Sequence, residues 1–182
     1  WSVRTIVSVL VSCLVLLGFG APASALTPDD QASYGQPAGK LPTKDAWVSD
    51  VGAAMHGSRA SLSDRIAAAD AGEKLAVNLD IDNTSLATHY APRQPVLVVR
   101  RFARYAHHHG VAVFFNTGRD TTQAARMRSL LVKAGYPVDR LCTRRPSEAV
   151  VHSKQRCRAS FVADGYTLVA NAFDQPESGD PL

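Results

Sequence analysis

Apolar residues form nearly unbroken runs at three places after residue 74. The runs lie at residues 75–79, 111–115 and 166–170, and a further short strand is predicted around residues 140–142. Short continuous apolar runs are typical of strands that are buried on both faces of a parallel sheet. We therefore predict four strands that belong to one sheet.

Between these runs, apolar residues recur at helical spacing and end at a glycine. A glycine directly after such a segment is typical of a helix C-terminus, because it adopts the left-handed conformation without steric strain. Strands that alternate with helices through short loops predict an α/β fold, with a parallel sheet covered by helices on both faces. The predicted helices span about 95–109, 120–134 and 153–163, and the glycines that follow them are Gly110, Gly135 and Gly165.

Two further segments precede the first strand. Residues 47–69 carry apolar side chains near helical spacing, interrupted at Gly57 and Ser58, which predicts one broken helix or a pair of helices. Residues 26–45 are rich in Pro, Gly, Ser and charge, and predict a flexible leader. With 182 residues in all, we expect a single folded domain at residues 46–182 that includes a small N-terminal helical region.

The first 25 residues have the pattern of a secretory signal peptide. Arg4 precedes an apolar run at residues 6–19, and small residues follow up to Ala25. We expect cleavage after Ala25 and a secreted, extracellular protein. The run is shorter than the ~20 residues of a membrane span, so a retained anchor is the lesser alternative. Lipidation at Cys13 is also a lesser alternative, because the apolar run continues well past this cysteine.

Cleavage changes the charge and the cysteine count. Removing residues 1–25 leaves 157 residues and, with Arg4 gone, lowers the formal net charge from +4 to +3. This charge is too weak and dispersed to predict nucleic-acid binding. Cys142 and Cys157 remain as an even pair in an oxidising compartment, where we expect a disulfide between them. Two separately buried thiols are the alternative.

Polar residues follow several predicted strands directly. They include Asp80, Asp82, Thr117 and Asn171. In open parallel sheets, ligands bind outside the carboxyl ends of the strands. These residues are therefore the first candidates for a functional site.

Three parts of the sequence resemble motifs of the haloacid dehalogenase (HAD) superfamily. The resemblance is to its secreted acid phosphatase branch of class B and plant type (subfamily IIIB). Residues 80–84, with sequence DIDNT, resemble the first motif, and residues 116–119, with sequence NTGR, resemble the second. Lys154, with Arg158 one helical turn later, is similar to the third motif. The resemblance covers roughly residues 47–174 and implies a Rossmann-like HAD fold.

The resemblance also implies roles for individual residues. Asp80 is the expected nucleophile, and Asp82 is the expected general acid and then base. Lys154 is the expected cation that compensates the charge of the aspartate and of the transferred phosphoryl group. Mg²⁺ is expected on the Asp80 carboxylate, the Asp82 carbonyl oxygen and an acid of the fourth motif. Thr117 and its neighbours are expected to bind the phosphoryl group, with Gly118 and Arg158 taking part in substrate binding. Arg119 either clamps the substrate or forms a salt bridge.

The fourth motif departs from the family pattern. Phe173 stands where glycine is expected, and Asp174 is the best candidate for a metal ligand, with Glu177 or Asp180 as substitutes. A missing carboxylate would weaken Mg²⁺ binding, because the ion requires near-octahedral oxygen ligands. The departure reflects either a loss of activity or a frameshift near the end of the reading frame.

The predicted activity is Mg²⁺-dependent hydrolysis of small phosphomonoesters. We expect no stable membrane anchor on the protein. Residues 85–94 are too few for an inserted cap domain, which predicts an open site unless the N-terminal helical region covers it. A non-catalytic binding or storage protein and a phosphotransferase are the alternative functions. His89 and Tyr90 either shape the mouth of the site or lie in an exposed loop, and residues 107–109, three consecutive histidines, are not expected to bind metal.

Overall fold

A computed structural model describes residues 41–173 of the chain. The predicted signal peptide, most of the predicted leader and Asp174 therefore lie outside the described residues. The elements in chain order are α1 (Lys44–Ala54), α2 (Ser58–Ala67), β1 (Lys74–Leu79), α3 (Leu97–His108), β2 (Ala112–Asp120), a 3₁₀ turn (Thr121–Gln123), α4 (Ala124–Lys133), β3 (Arg140–Arg144), α5 (Val150–Ala163) and β4 (Tyr166–Ala172).

The four strands form one parallel sheet in the order β3-β2-β1-β4. Strands β1 and β2 are central, which explains why their sequences are nearly continuous apolar runs. Their register pairs Leu79 with Phe115, so the residues that follow both strands leave the sheet at the same edge. The predicted α/β fold is confirmed.

Helices cover both faces of this sheet, as predicted. On one face, α3 and α4 pack through residues such as Phe102 and Leu131 against the larger apolar core. On the other face, α5 buries Cys157 and Phe161 against Phe114. In the part of the chain described, residues 85–94 contain no helix or strand, in agreement with the prediction that no large cap is inserted there.

The N-terminal helical region is a pair of helices rather than one broken helix. Gly57 separates them with a φ of 75°, a left-handed conformation that glycine adopts without strain. Helix α1 begins at Lys44, so the predicted leader boundary at residue 45 extends two residues into the helix. The reason is a helix cap, because Thr43 Oγ1 accepts a hydrogen bond from the Ala46 amide at 3.3 Å.

Two element boundaries near the site also differ from the sequence prediction. Strand β2 continues to Asp120, whose side chain accepts a hydrogen bond from the Thr122 amide at 2.9 Å and delays the following helix to Ala124. Helix α5 begins at Val150, three residues before its predicted start. Lys154 therefore lies in the second turn of α5 rather than at its first residue.

Helix α5 is tied to β3 by a disulfide and a hydrogen bond, and to the loop that precedes the helix by an ion pair. Cys142 and Cys157 form the predicted disulfide, with Cα atoms 5.8 Å apart across a sequence separation of 15 residues. In the chain-entropy model a loop of this size contributes about 3 kcal/mol. Arg156 adds a two-point contact to Glu148, with Nε–Oε1 and Nη2–Oε2 distances of 2.8 and 2.9 Å, and donates a hydrogen bond to the Thr143 carbonyl.

The Glu148–Arg156 pair predicts a specific loss of stability in acid. The hydrogen bonds from Arg156 lower the pKa of Glu148 from 4.5 to about 2. A depressed carboxyl pKa contributes stability above the unfolded-state pKa, and this contribution is lost as the pH falls towards the folded-state pKa. We expect Glu148→Gln to lower the melting temperature at neutral pH, and the parent and variant curves to converge between pH 4.5 and about 2.

Thermal unfolding as a function of pH measures this convergence. Asp64→Asn, at an exposed position of α2, is the matched control and should not reproduce the change in slope. Parallel parent and Glu148→Gln curves through the acid range would contradict the assignment.

Candidate active site

Asp80 is the first residue after β1, and its carboxylate is fixed from two sides. The residue is only 6% exposed. Its Oδ1 accepts a hydrogen bond from the Ile81 amide at 2.7 Å, and its Oδ2 accepts one from Lys154 Nζ at 2.9 Å. Its own amide donates to the Ala172 carbonyl at 2.9 Å, so the end of β4 fixes the backbone of the residue.

The loop after Asp80 is held by buried polar contacts. Ser85 Oγ donates a hydrogen bond to the Asp80 carbonyl at 2.6 Å. The Tyr136 hydroxyl donates to the Ser85 carbonyl at 2.6 Å, and burial raises the pKa of this tyrosine, which keeps the hydroxyl a donor. Asn83 has a φ of 52° and therefore turns the chain sharply after Asp82. These contacts direct both aspartates to the carboxyl edge of the sheet.

Lys154 reaches Asp80 from helix α5, where it is 8% exposed. The side-chain amide of Asn116, which follows the apolar part of β2, donates a hydrogen bond to the Lys154 carbonyl at 2.9 Å. Asn116 is itself fully buried, so it links the end of β2 to the helix that carries the lysine. A buried ammonium group requires a partner of opposite charge, and Asp80 supplies it.

Thr117 and Gly118 lie in the last part of β2, close to the start of α5. Thr117 is fully buried, and its Oγ1 accepts a hydrogen bond from the Arg119 amide at 3.2 Å. A Cβ atom at residue 118 would lie 3.0 Å from Val150 Cγ1, so a larger residue would require the Val150 side chain to move by a few tenths of an ångström. The Gly118 carbonyl accepts a hydrogen bond from Arg144 Nε at 2.8 Å, which fixes this part of the strand.

Asp82 lies two residues after Asp80 and is bound by a guanidinium group. Arg119 Nε and Nη2 each lie 2.7 Å from one oxygen of the Asp82 carboxylate, in a two-point contact. Thr88 Oγ1 donates a third hydrogen bond at 2.7 Å. Of the two interpretations of Arg119, the structure thus contains the salt bridge.

These contacts determine the protonation of Asp82. Burial alone would raise the pKa of Asp82, but the hydrogen bonds from Arg119 and Thr88, with the charges of Arg119 and Lys154, leave its pKa below the ordinary value. The same pairing raises the pKa of Arg119. In this state Asp82 is a carboxylate anion.

Phe173, which replaces the glycine expected in the fourth motif, lies over the cations of α5. Its ring centroid is 4.9 Å from Lys154 Nζ and 5.7 Å from Arg158 Cζ. A cation at this distance from an aromatic face is attracted to the ring. The structure therefore places Arg158 beside Phe173, near the predicted site.

A cavity of about 450 Å³ adjoins this edge of the sheet and is bordered by helix α1. Trp47 of α1 stacks on Tyr90 with ring centroids 4.7 Å apart, and the Tyr90 hydroxyl donates to the Pro42 carbonyl. The N-terminal helical region thus forms one wall of the cavity. The cavity is lined by Pro42, Trp47, Asp50, Val51, Ala54, Met55, Asn83, Thr84, Val99, Asn171, Ala172 and Phe173.

Three residues with contacts at the site were not predicted from the sequence. Thr88 and Gln123 bond to predicted site residues, and Asn78 donates a hydrogen bond from within β1 to Asn171 Oδ1 at 3.0 Å. Asn78 is marked in the sequence as the one polar residue within the apolar run at 75–79. Nothing in the sequence marks Thr88 or Gln123.

The histidines at 107–109 belong to ordinary surface contacts. His107 Nδ1 lies 3.4 Å from Asp139 Oδ2, and His109 Nδ1 lies 2.8 Å from the Tyr105 carbonyl oxygen. Within residues 41–173, no group of three or more His, Cys, Asp or Glu side chains is arranged to hold a metal. In the same range, no helix has the length and apolar character needed to cross a membrane.

Comparison with known proteins relates this fold and site to a family. The family model described as HAD superfamily, subfamily IIIB (Acid phosphatase), matches residues 91–180. The match begins after Asp80 and Asp82, so the first motif rests on its position in the fold. A search of curated proteins found no matching sequence.

Two solved structures share the fold. The class C acid phosphatase from Bacillus anthracis with tungstate bound has a TM-score of 0.55 and 18% identity, over 79% of this chain and 68% of that chain. Another structure of the Bacillus anthracis class C acid phosphatase has a TM-score of 0.51 and 18% identity, over 77% and 66%. This chain thus spans about two thirds of their length.

The family model and the two solved structures together support the fold of a HAD-superfamily acid phosphatase for this chain. The match to the model of subfamily IIIB covers residues 91–180, just under half of the chain. Members of the superfamily generally use a divalent metal.

Proposed function

We propose that this protein is an exported, Mg²⁺-dependent phosphomonoester hydrolase that acts through an aspartyl-phosphate on Asp80. The observation that carries the proposal is the buried contact of 2.9 Å between Asp80 Oδ2 and Lys154 Nζ. It orients one carboxylate beside an ammonium group at the sheet edge where parallel α/β folds bind ligands. A lysine at this position also neutralises the charge that a phosphoryl group brings into the site.

The reaction proceeds in two displacements at phosphorus. In the first, an Asp80 oxygen forms a bond to phosphorus, the bond to the leaving alcohol oxygen breaks, and Asp82 gives that oxygen a proton. In the second, a water molecule attacks phosphorus and gives a proton to Asp82, while the bond to Asp80 breaks and phosphate leaves. Both aspartates return to their initial states.

The contacts of Asp82 fit the second step directly. Arg119 and Thr88 stabilise its carboxylate form, which is the form that accepts a proton from water. In the first step, Asp82 must carry a proton to protonate the leaving oxygen. Thr117 and Gly118 are proposed to bind the phosphoryl oxygens, and Arg158 to contribute positive charge near the substrate.

The donors available at this edge fit Mg²⁺ in type. Asp80 supplies a carboxylate and Asp82 a backbone carbonyl, both hard oxygen ligands of the kind that Mg²⁺ prefers. Asp174 is the proposed third protein ligand, and it lies beyond the described residues. When bound, the ion would neutralise phosphoryl charge.

Export and substrate size follow from separate observations. A disulfide between Cys142 and Cys157 is typical of proteins that leave the cytosol, which supports the proposed signal peptide and secretion. The cavity of about 450 Å³ beside the site suits a small phosphomonoester. We propose no nucleic-acid partner and no stable membrane anchor.

Phe173 favours a second candidate, a non-catalytic secreted binding or storage protein with the same scaffold. An aromatic ring against Lys154 and Arg158 occupies the neighbourhood in which the family motif has a glycine. A phosphotransferase would use the same residues and differ only in the acceptor. Competition between an added alcohol and water for the phosphoryl group would reveal it.

The nucleophile is tested by Asp80→Asn in the mature protein. The two side chains are nearly isosteric, but the amide cannot attack phosphorus, so we expect hydrolysis of 4-nitrophenyl phosphate to fall by at least ~100-fold. A chelator should abolish the activity of the parent protein, and Mg²⁺ should restore it. Asp64→Asn is the control, and thermal unfolding verifies that each variant is folded.

A parent protein that is folded and inactive at all Mg²⁺ concentrations would support the binding or storage function instead. Residual activity of Asp80→Asn above a few per cent would exclude Asp80 as the nucleophile.

The fourth motif is tested by restoring the family pattern. Phe173→Gly combined with Ser178→Asp places an acid four residues after Asp174. If Asp174 is a ligand that lacks this support, the Mg²⁺ concentration for half-maximal activity should fall by ~10- to 100-fold. Phe173→Gly with Ser178→Asn, which adds no charge, is the matched control. An unchanged value in the repaired protein would mean that Asp174 is not a ligand or that the motif was never impaired.

A further inference from the structure

We infer that Arg119 is a positioning residue, which holds the carboxylate of Asp82 in place for proton transfer and does not bind the phosphoryl group. The inference rests on the proposed function and deepens it. Its basis is the two-point contact in which Arg119 Nε and Nη2 lie 2.7 Å from Asp82 Oδ2 and Oδ1.

This contact fixes the orientation of the carboxylate as well as its position. Two parallel hydrogen bonds between a planar guanidinium and a planar carboxylate align the two planes. Thr88 Oγ1 adds a third hydrogen bond to Oδ1 from the loop on the other side of the turn. Rotation of the Asp82 side chain would therefore break several strong hydrogen bonds at once.

Arg119 is itself supported from behind. Its Nη1 donates a hydrogen bond to Gln123 Oε1 at 3.1 Å. Gln123 is the last residue of the 3₁₀ turn that follows β2. The guanidinium is thus fixed between the 3₁₀ turn and Asp82. The hydrogen bonds from Arg119 to Gln123 and to Asp82 join the end of β2 to the loop after β1.

The use of the donors argues against a phosphate clamp. A guanidinium has five N–H donors, and the edge formed by Nε and Nη2 is one of those suited to two-point binding of an oxyanion. In this structure Asp82 occupies that edge, and Gln123 accepts from Nη1. The cation that contacts the nucleophile is Lys154.

A positioning role has a kinetic signature that depends on the leaving group. The leaving oxygen of an alkyl phosphate needs a proton, whereas 4-nitrophenyl phosphate releases 4-nitrophenolate readily without one. Loss of the Arg119 contact should therefore slow the alkyl ester selectively. Binding of inorganic phosphate should not change, because Arg119 does not contact it.

The test compares Arg119→Lys and Gln123→Leu with the parent protein. For Arg119→Lys we expect kcat/KM on glycerol 2-phosphate to fall by about 10- to 100-fold, part of the ~10²- to 10⁴-fold that general acid catalysis supplies. On 4-nitrophenyl phosphate, kcat/KM should stay within about threefold, and so should the inhibition constant of inorganic phosphate. Gln123→Leu should lower kcat/KM on glycerol 2-phosphate selectively, but by a smaller factor. It tests the support of Arg119 even where Arg119→Lys folds poorly.

Arg128→Lys is the matched control, because Arg128 also donates a guanidinium hydrogen bond, to the Val138 carbonyl on the surface. It should leave both substrates unaffected. The inference would be overturned if Arg119→Lys raised the inhibition constant of phosphate or lowered kcat/KM equally on both substrates. Either result would leave the proposed function intact. An inactive parent protein would overturn the proposed function and this inference with it.

Discussion

The buried ion pair between Asp80 and Lys154 is the interaction on which the rest of the site depends. Two opposite charges taken out of water are stable only when they are paired and hydrogen-bonded. The pair therefore requires the end of β1 and the second turn of α5 to stay in one relative position. Asn116 binds the lysine's carbonyl, while the Cys142–Cys157 disulfide holds α5 against β3 and the Glu148–Arg156 pair holds it against the loop that precedes the helix. Much of the polar structure around α5 thus stabilises one contact.

The second aspartate is held by different means. Asp82 is partly exposed and accepts hydrogen bonds from Arg119 and Thr88, so its carboxylate is oriented without being buried. Phe173 adds an aromatic surface beside the cations of α5 and contributes to the cavity bordered by α1. The site thus combines one buried carboxylate, one oriented carboxylate and an apolar wall. This division suits a nucleophile and a proton-transfer group that work in the same reaction.

The sequence predicted the architecture well where the signal was local or matched a family motif. Apolar runs marked β1, β2 and β4, and Asp80, Asp82 and Lys154 were singled out from the family motifs that they resemble. The end of β2 was misplaced because the side chain of Asp120 caps the 3₁₀ turn that follows it, and α5 begins three residues before its predicted start without a side-chain cap. The partners of Asp82 were not predictable, since Thr88 and Arg119 meet it only through tertiary packing. The relation of Phe173 to Lys154 also depends on β4 and α5 lying side by side.

The claim that Asp80 becomes phosphorylated is the centre of this account. Borohydride reduces an acyl-phosphate to an alcohol, so treatment of the protein during turnover of 4-nitrophenyl phosphate should convert the phosphorylated side chain into homoserine. Peptide mass spectrometry then locates the change. The account predicts homoserine at position 80 only when substrate and Mg²⁺ are both present. Reduction at a different residue, or none in a protein that is hydrolysing the substrate, would contradict it.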